Sequence, residues 1–160
     1  MMSLKRARRA GQGLGLALAT LTALAASAAD VPAALRQEIL DAARPAAQVQ
    51  AGQAVRFVVD RLNVDGNWAV LTGGLVQAQG GPLNWAKARS CQPELDKMLW
   101  VVLARTDARW RVAQINVCAT EPPYWTTREQ GGFLWPCGVY AGLADPAGRS
   151  LEVACRAAAR

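Results

Sequence analysis

Between Ala54 and Val117 the hydrophobic positions of this chain alternate, slip by one, and alternate again, a period of two that predicts a bulged sheet. Val55, Phe57 and Val59 are spaced as one face of a strand, whereas Leu62 and Val64 have the opposite parity. A β-bulge near Asp60-Arg61 would bring both sets to the same side. Asp65-Gly66-Asn67 then reads as a hairpin turn in which glycine supplies the positive φ. Trp68 to Leu71 returns as a second strand towards Gly73-Gly74, with Leu75-Val76 extending it past a glycine bend. Met98 to Ala104 is apolar at every position, the mark of a central strand covered on both faces. Arg105 to Ala108 turn the chain, and Trp110 and Val112 followed by Ile115 and Val117 repeat the slip, which predicts another bulge near Ala113-Gln114. W-x-V follows both turns, as Trp68-Ala69-Val70 and Trp110-Arg111-Val112; an internal duplication or similar packing against one core would each produce it.

The flanks follow other patterns. Leu35, Ile39, Ala42 and Ala43 recur at helical spacing, with Asp30 as N-cap and Pro32 tolerated in the first turn. Pro45 is expected to stop or kink this helix near Arg44, leaving Ala46 to Ala51 as a loose turn before Gly52. Residues 77 to 97 read as a long polar loop with one short strand around Leu83 to Ala86. Asp145 to Gly148 is a turn, Leu151 to Cys155 an edge strand or one helical turn, and Arg156 to Arg160 a frayed end. The fold expected is α+β: one N-terminal helix packed on a curved antiparallel sheet of about four strands, with an aromatic, disulfide-pinned C-terminal segment.

The first 28 residues change the meaning of the charge. Lys5, Arg6, Arg8 and Arg9 precede an apolar run from Leu14 to Ala25 and a small-x-small site at Ala26-Ser27-Ala28, the three parts of a secretory signal. The run is shorter than the roughly 20 residues of a spanning helix, so residues 1–28 are expected to be cleaved, leaving 30–160 as a single domain with no membrane span. No cysteine sits at the cleavage site, against a lipid anchor, and Arg8-Arg9 lacks the bulky apolar pair of the twin-arginine route. The whole chain carries 18 basic and 12 acidic residues, and with the signal removed the balance falls from +6 to +2. Nucleic acid is therefore not an expected partner. The four cysteines, Cys91, Cys118, Cys137 and Cys155, all follow the signal. In an exported chain an even count implies disulfides.

The stretches RQEILDAARP, VRFVVDRLNVDGNWAVLTG and LWVVLARTDARWRVAQINVCATEPPYW, within residues 36–125, resemble a group of small exported bacterial proteins known mainly as uncharacterised sequences. Their element order is loosely similar to cystatin and NTF2-like folds. The resemblance implies an exported helix-plus-sheet domain and no particular reaction; Cys137 and Cys155 lie beyond it.

Candidate chemistry is sparse. The chain has no histidine, which removes Ser-His-Asp, Cys-His and His-metal sites, and no motif calls for a metal or cofactor. Glu121 and Glu129 flank an aromatic segment and would suit an envelope polysaccharide hydrolase with a carboxylate pair; Glu121 beside Pro122 reads more simply as a solvated turn residue. The segment itself, with Tyr124, Trp125, Phe133, Trp135 and Tyr140 among prolines and glycines, suits a preordered binding surface or a lid over the open face of the sheet. The function expected is that of a periplasmic or secreted, non-enzymatic binding domain for a protein or envelope ligand. Of three disulfide connectivities, a hairpin centred between Thr106 and Asp107 favours Cys91–Cys118 with Cys137–Cys155. The rival, Cys118–Cys137 with Cys91–Cys155, would staple the aromatic segment at both ends.

Overall fold

The computed structural model of the protein describes residues 31–89, 91–92, 97–119 and 132–159. Four strands, β1 (Val55–Asp65), β2 (Trp68–Gln77), β3 (Met98–Thr106) and β4 (Arg109–Ala119), form one antiparallel sheet in the order of the chain. The helix α1 (Ala33–Ala51) covers one face and the segment ending in the helix α2 (Leu151–Ala158) covers the other. The expected α+β architecture is therefore present, with the sheet as a middle layer.

The parity slips are bulges. β1 shifts register between Val59 and Arg61, so that Val55, Phe57, Val59, Leu62 and Val64 all face α1. Gly73 lies across from this bulge, where a Cβ would run into the Val58 carbonyl. In β4, Ala113 is the extra residue between Val112 and Gln114, which brings Trp110, Val112, Ile115 and Val117 to the α1 side. A further shift lies between Asn116 and Ala119, where the Asn116 side-chain oxygen accepts from the Cys118 amide at 3.0 Å. β3 is buried on both sides, with Leu99, Val101 and Leu103 towards α1 and Trp100 and Val102 towards the C-terminal segment. The two W-x-V motifs are not equivalent, since Trp68 and Val70 face the C-terminal layer and Trp110 and Val112 face α1.

Several local expectations are corrected. Asp30 lies outside the described residues, and Pro32 occupies the N-cap position of α1, its carbonyl accepting from the Arg36 amide at 2.9 Å. Pro45 does not end the helix, which continues to Ala51 and closes on Gly52 at φ 65°. Its ring is exposed, so the lost bond to the Asp41 carbonyl falls on the solvent side. Ile39, Ala43, Ala47 and Ala51, four residues apart, are fully buried. Burying that stripe offsets a cost of about 3 kcal/mol for an internal proline.

In place of a strand near Leu83, Trp85–Lys87 forms a 3₁₀ turn capped by the Asn84 side chain, which accepts from the Ala86 amide at 3.1 Å. The loop is held to the end of α1, with the Arg89 amide donating to the Gln50 carbonyl at 2.8 Å and the Gln53 side-chain amide to the Asn84 carbonyl at 2.8 Å. The β3–β4 turn is centred on Asp107-Ala108, one residue later than expected, because Thr106 pairs with Arg109. Both turn residues are left-handed, at φ 51° and 59°, as in a type I′ turn.

Candidate functional site

The face of the sheet opposite α1 is built for docking rather than for solvent. Trp100 and Val102 of β3 and Val70 of β2 supply its apolar centre, and Trp135, Val139, Tyr140, Leu151 and Cys155 pack onto them. The rings form a chain: Trp135 lies 6.4 Å from Trp100 and 6.3 Å from Tyr140 between centroids, and Phe133 meets Tyr140 edge-on at 5.1 Å. A 3₁₀ turn at Cys137–Tyr140 carries Val139 and Tyr140 into this layer.

Polar residues of β1 hold that turn in place. Asn63 is buried, and its side-chain amide donates to the carbonyls of Val139 at 3.0 Å and Ala141 at 2.8 Å. Asp65 accepts from the Gly138 amide at 2.9 Å. In sequence Asn63 is a solvent-side position of an alternating strand and Asp65 the first residue of a hairpin turn, whereas here Asp65 ends β1 paired with Trp68, and no local signal marks either as an anchor. The Cys137–Cys155 disulfide then ties the turn to α2, while Cys91–Cys118 ties the loop before β3 to β4. This is the connectivity that hairpin geometry favours.

The helix α2 is longer than the single turn expected, and residues 156 to 158 belong to it instead of fraying. Ser150 caps it, its hydroxyl accepting from the Val153 amide at 3.3 Å, and Arg156 pairs with Glu152 at 2.7 Å one turn apart. Before it, the Asp145 carboxylate accepts from the amides of Ala147 and Arg149, each at 2.9 Å, and from the Arg149 guanidinium at 2.6 Å. Those backbone donors, Arg149 first, hold its carboxyl below the usual range.

Where the aromatic segment meets the end of α2 it leaves a cleft of about 400 Å³, within the size range of small-ligand sites. Phe133, Trp135 and Pro136 form one wall, Ala158 and Ala159 the other, and the Cys137–Cys155 bridge lies between. The described lining side chains are apolar or disulfide-bonded, and none of them titrates. Trp135 is 9% exposed and Tyr140 fully buried. Burial pushes the Tyr140 phenol up, with the nearby backbone of Trp135 and Leu134 opposing the shift. Among the described residues, its hydroxyl and the Trp100 indole N–H meet no partner in hydrogen-bond geometry.

Of the five aromatic residues singled out by sequence, Phe133, Trp135 and Tyr140 come together in this layer, and Tyr124 and Trp125 lie outside the described residues, as do Glu121 and Glu129. Ala158 and Ala159 carry no signal of their own; the apolar spacing of Leu151 and Cys155 after Ser150 is what could have revealed their helix.

A second, more polar groove of about 570 Å³ runs between Val49 and Gln50 of α1, Arg89, and Gln114 to Asn116 of β4. The Gln50 side-chain amide is already engaged there, donating to the Ile115 carbonyl at 3.2 Å. Among the described residues no three His, Cys, Asp or Glu side chains are grouped as a metal would need, and no helix is long and apolar enough to cross a membrane. No family model, curated protein or solved structure matches the chain.

Proposed function

We propose that the protein is an exported, disulfide-braced binding module, periplasmic or secreted and without enzymatic activity. Its ligand is a protein or envelope component that places an apolar group in the cleft between Phe133–Cys137 and the end of α2. The observation that carries this reading is the cleft itself: an aromatic wall, a proline and a disulfide face two alanines, and none of the described lining residues titrates. Such a surface is already ordered before binding, because Trp135 is wedged against Trp100 and Tyr140 and the turn behind it is bonded to Asn63 and Asp65. Little entropy remains to be lost when a ligand arrives. Export is supported by the signal-like residues 1–28 and by the two disulfides, which persist in oxidising compartments.

The test is a paired capture from an envelope extract with the wild-type protein and with Ala159→Trp, which fills the cleft from its exposed rim. A component retained by the wild type and lost with the variant supports the reading; identical capture by the two, with unchanged circular dichroism, refutes it.

A further inference from the structure

The sheet has two outer strands, β1 and β4, and they are protected unequally. An open strand edge invites pairing with another chain unless bulges or covering elements blunt it. β4 is broken by two register shifts, and α1 packs more closely against it than against β1. β1, by contrast, runs in unbroken register from Val55 to Val59.

The backbone of that stretch is oriented for pairing. The Ala78 amide donates to the Ala54 carbonyl at 3.1 Å. By the alternation of an antiparallel ladder, Ala54, Arg56 and Val58 turn their backbone groups towards β2, and Val55, Phe57 and Val59 turn theirs outward. The side chains on the face away from α1 are Arg56, Val58 and Asp60, all exposed, with Val58 49% exposed. Among the described residues neither Arg56 nor Asp60 forms an ion pair.

These three residues are self-complementary. A twofold axis through Val58, perpendicular to the sheet, sets Arg56 opposite Asp60 of a second copy, Asp60 opposite its Arg56, and Val58 against Val58. The same axis places Phe57 opposite Val59 of the second copy, and these are the residues whose amides and carbonyls point outward. Charge, shape and hydrogen-bond parity thus agree on one register.

We propose that β1 pairs antiparallel with β1 of a second copy of this chain, about Val58. Two four-stranded sheets join into one continuous sheet, with both α1 helices on the same side, in an isologous dimer. The ladder stops at the Asp60 bulge, so the contact is short and belongs with transient interfaces of less than about 1,200 Å².

Sedimentation velocity on the exported, oxidised protein tests this with charge exchange. The wild type is expected to dimerise with increasing concentration. Arg56→Asp and Asp60→Arg each set like charges opposite one another twice in a dimer and should weaken self-association roughly tenfold or more. In an equimolar mixture of the two variants, one chain is acidic at both positions and the other basic at both. Every charged contact across the twofold axis is then between opposite signs, so a heterodimer should form with near wild-type strength; its formation also shows that both variants are folded. A wild type that stays monomeric up to about 1 mM, single variants that dimerise as well as the wild type, or a mixture that stays monomeric would each overturn the proposal.

Discussion

Removing the Cys137–Cys155 bridge should uncover one face of the sheet without dismantling the other. The two cysteines are 18 residues apart, and closing a loop of that length in the unfolded chain contributes about 3 kcal/mol. For Cys91–Cys118, 27 residues apart, the same reasoning yields only a few tenths of a kcal/mol more. Total stability therefore hardly distinguishes the bridges; what each releases does. Without Cys137–Cys155 the turn that presents Val139 and Tyr140 keeps its bonds to Asn63 and Asp65 but loses its tie to α2. The assay is urea unfolding of Cys137→Ala/Cys155→Ala, followed in parallel by tryptophan fluorescence and far-ultraviolet circular dichroism. The part of the fluorescence that comes from Trp68, Trp100 and Trp135 in the C-terminal layer should change at lower urea than the dichroism of the sheet and α1, with Trp85 and Trp110 on the α1 side following the dichroism. Coincident transitions with a loss below about 1 kcal/mol would refute the reasoning, because packing alone would then hold the C-terminal layer.

Ala108 sits at φ 59° in the β3–β4 turn, so Ala108→Gly should raise stability by about 1 kcal/mol, read as a higher urea midpoint at unchanged slope. Gly73→Ala should do the opposite, because its Cβ meets the Val58 carbonyl across the β1 bulge; a loss above about 2 kcal/mol in the same assay is expected. Asn63→Ala leaves two carbonyls of the C-terminal turn without their donor and should cost about 2–4 kcal/mol, with faster amide exchange from Gly138 to Gly142. The Asp145 carboxyl is held below its ordinary value of 3.8. Its contribution to stability is therefore complete above that pH and lost as pH falls through the lower folded value. Acid unfolding of Asp145→Asn should lack this part of the pH dependence.

The alternation of apolar residues was enough to place four strands, two of the bulges and the doubly buried β3, because a residue's parity reports which face it occupies and a slip in parity requires a bulge. Cysteine spacing along the β3–β4 hairpin pointed to the bridges for a similar reason: residues across a hairpin are neighbours by construction. Phe133 and Trp135 drew attention as rings in a proline- and glycine-rich segment, yet composition does not distinguish a ring wedged against Trp100 from one in solvent.

What local pattern could not decide was which distant segment covers which face. Asn63 looks like an ordinary solvent position and Asp65 like a turn residue until the turn at Cys137–Tyr140 arrives to use them. Pro45 looks like a helix end until Ala47 and Ala51 are seen buried on the sheet. The matching W-x-V motifs look equivalent until one faces α1 and the other the C-terminal layer. Period and propensity are properties of a few neighbouring residues. The cleft, the anchors of its turn and the unequal edges of the sheet arise from contacts between segments far apart in the chain, whose energies only the assembled structure adds together.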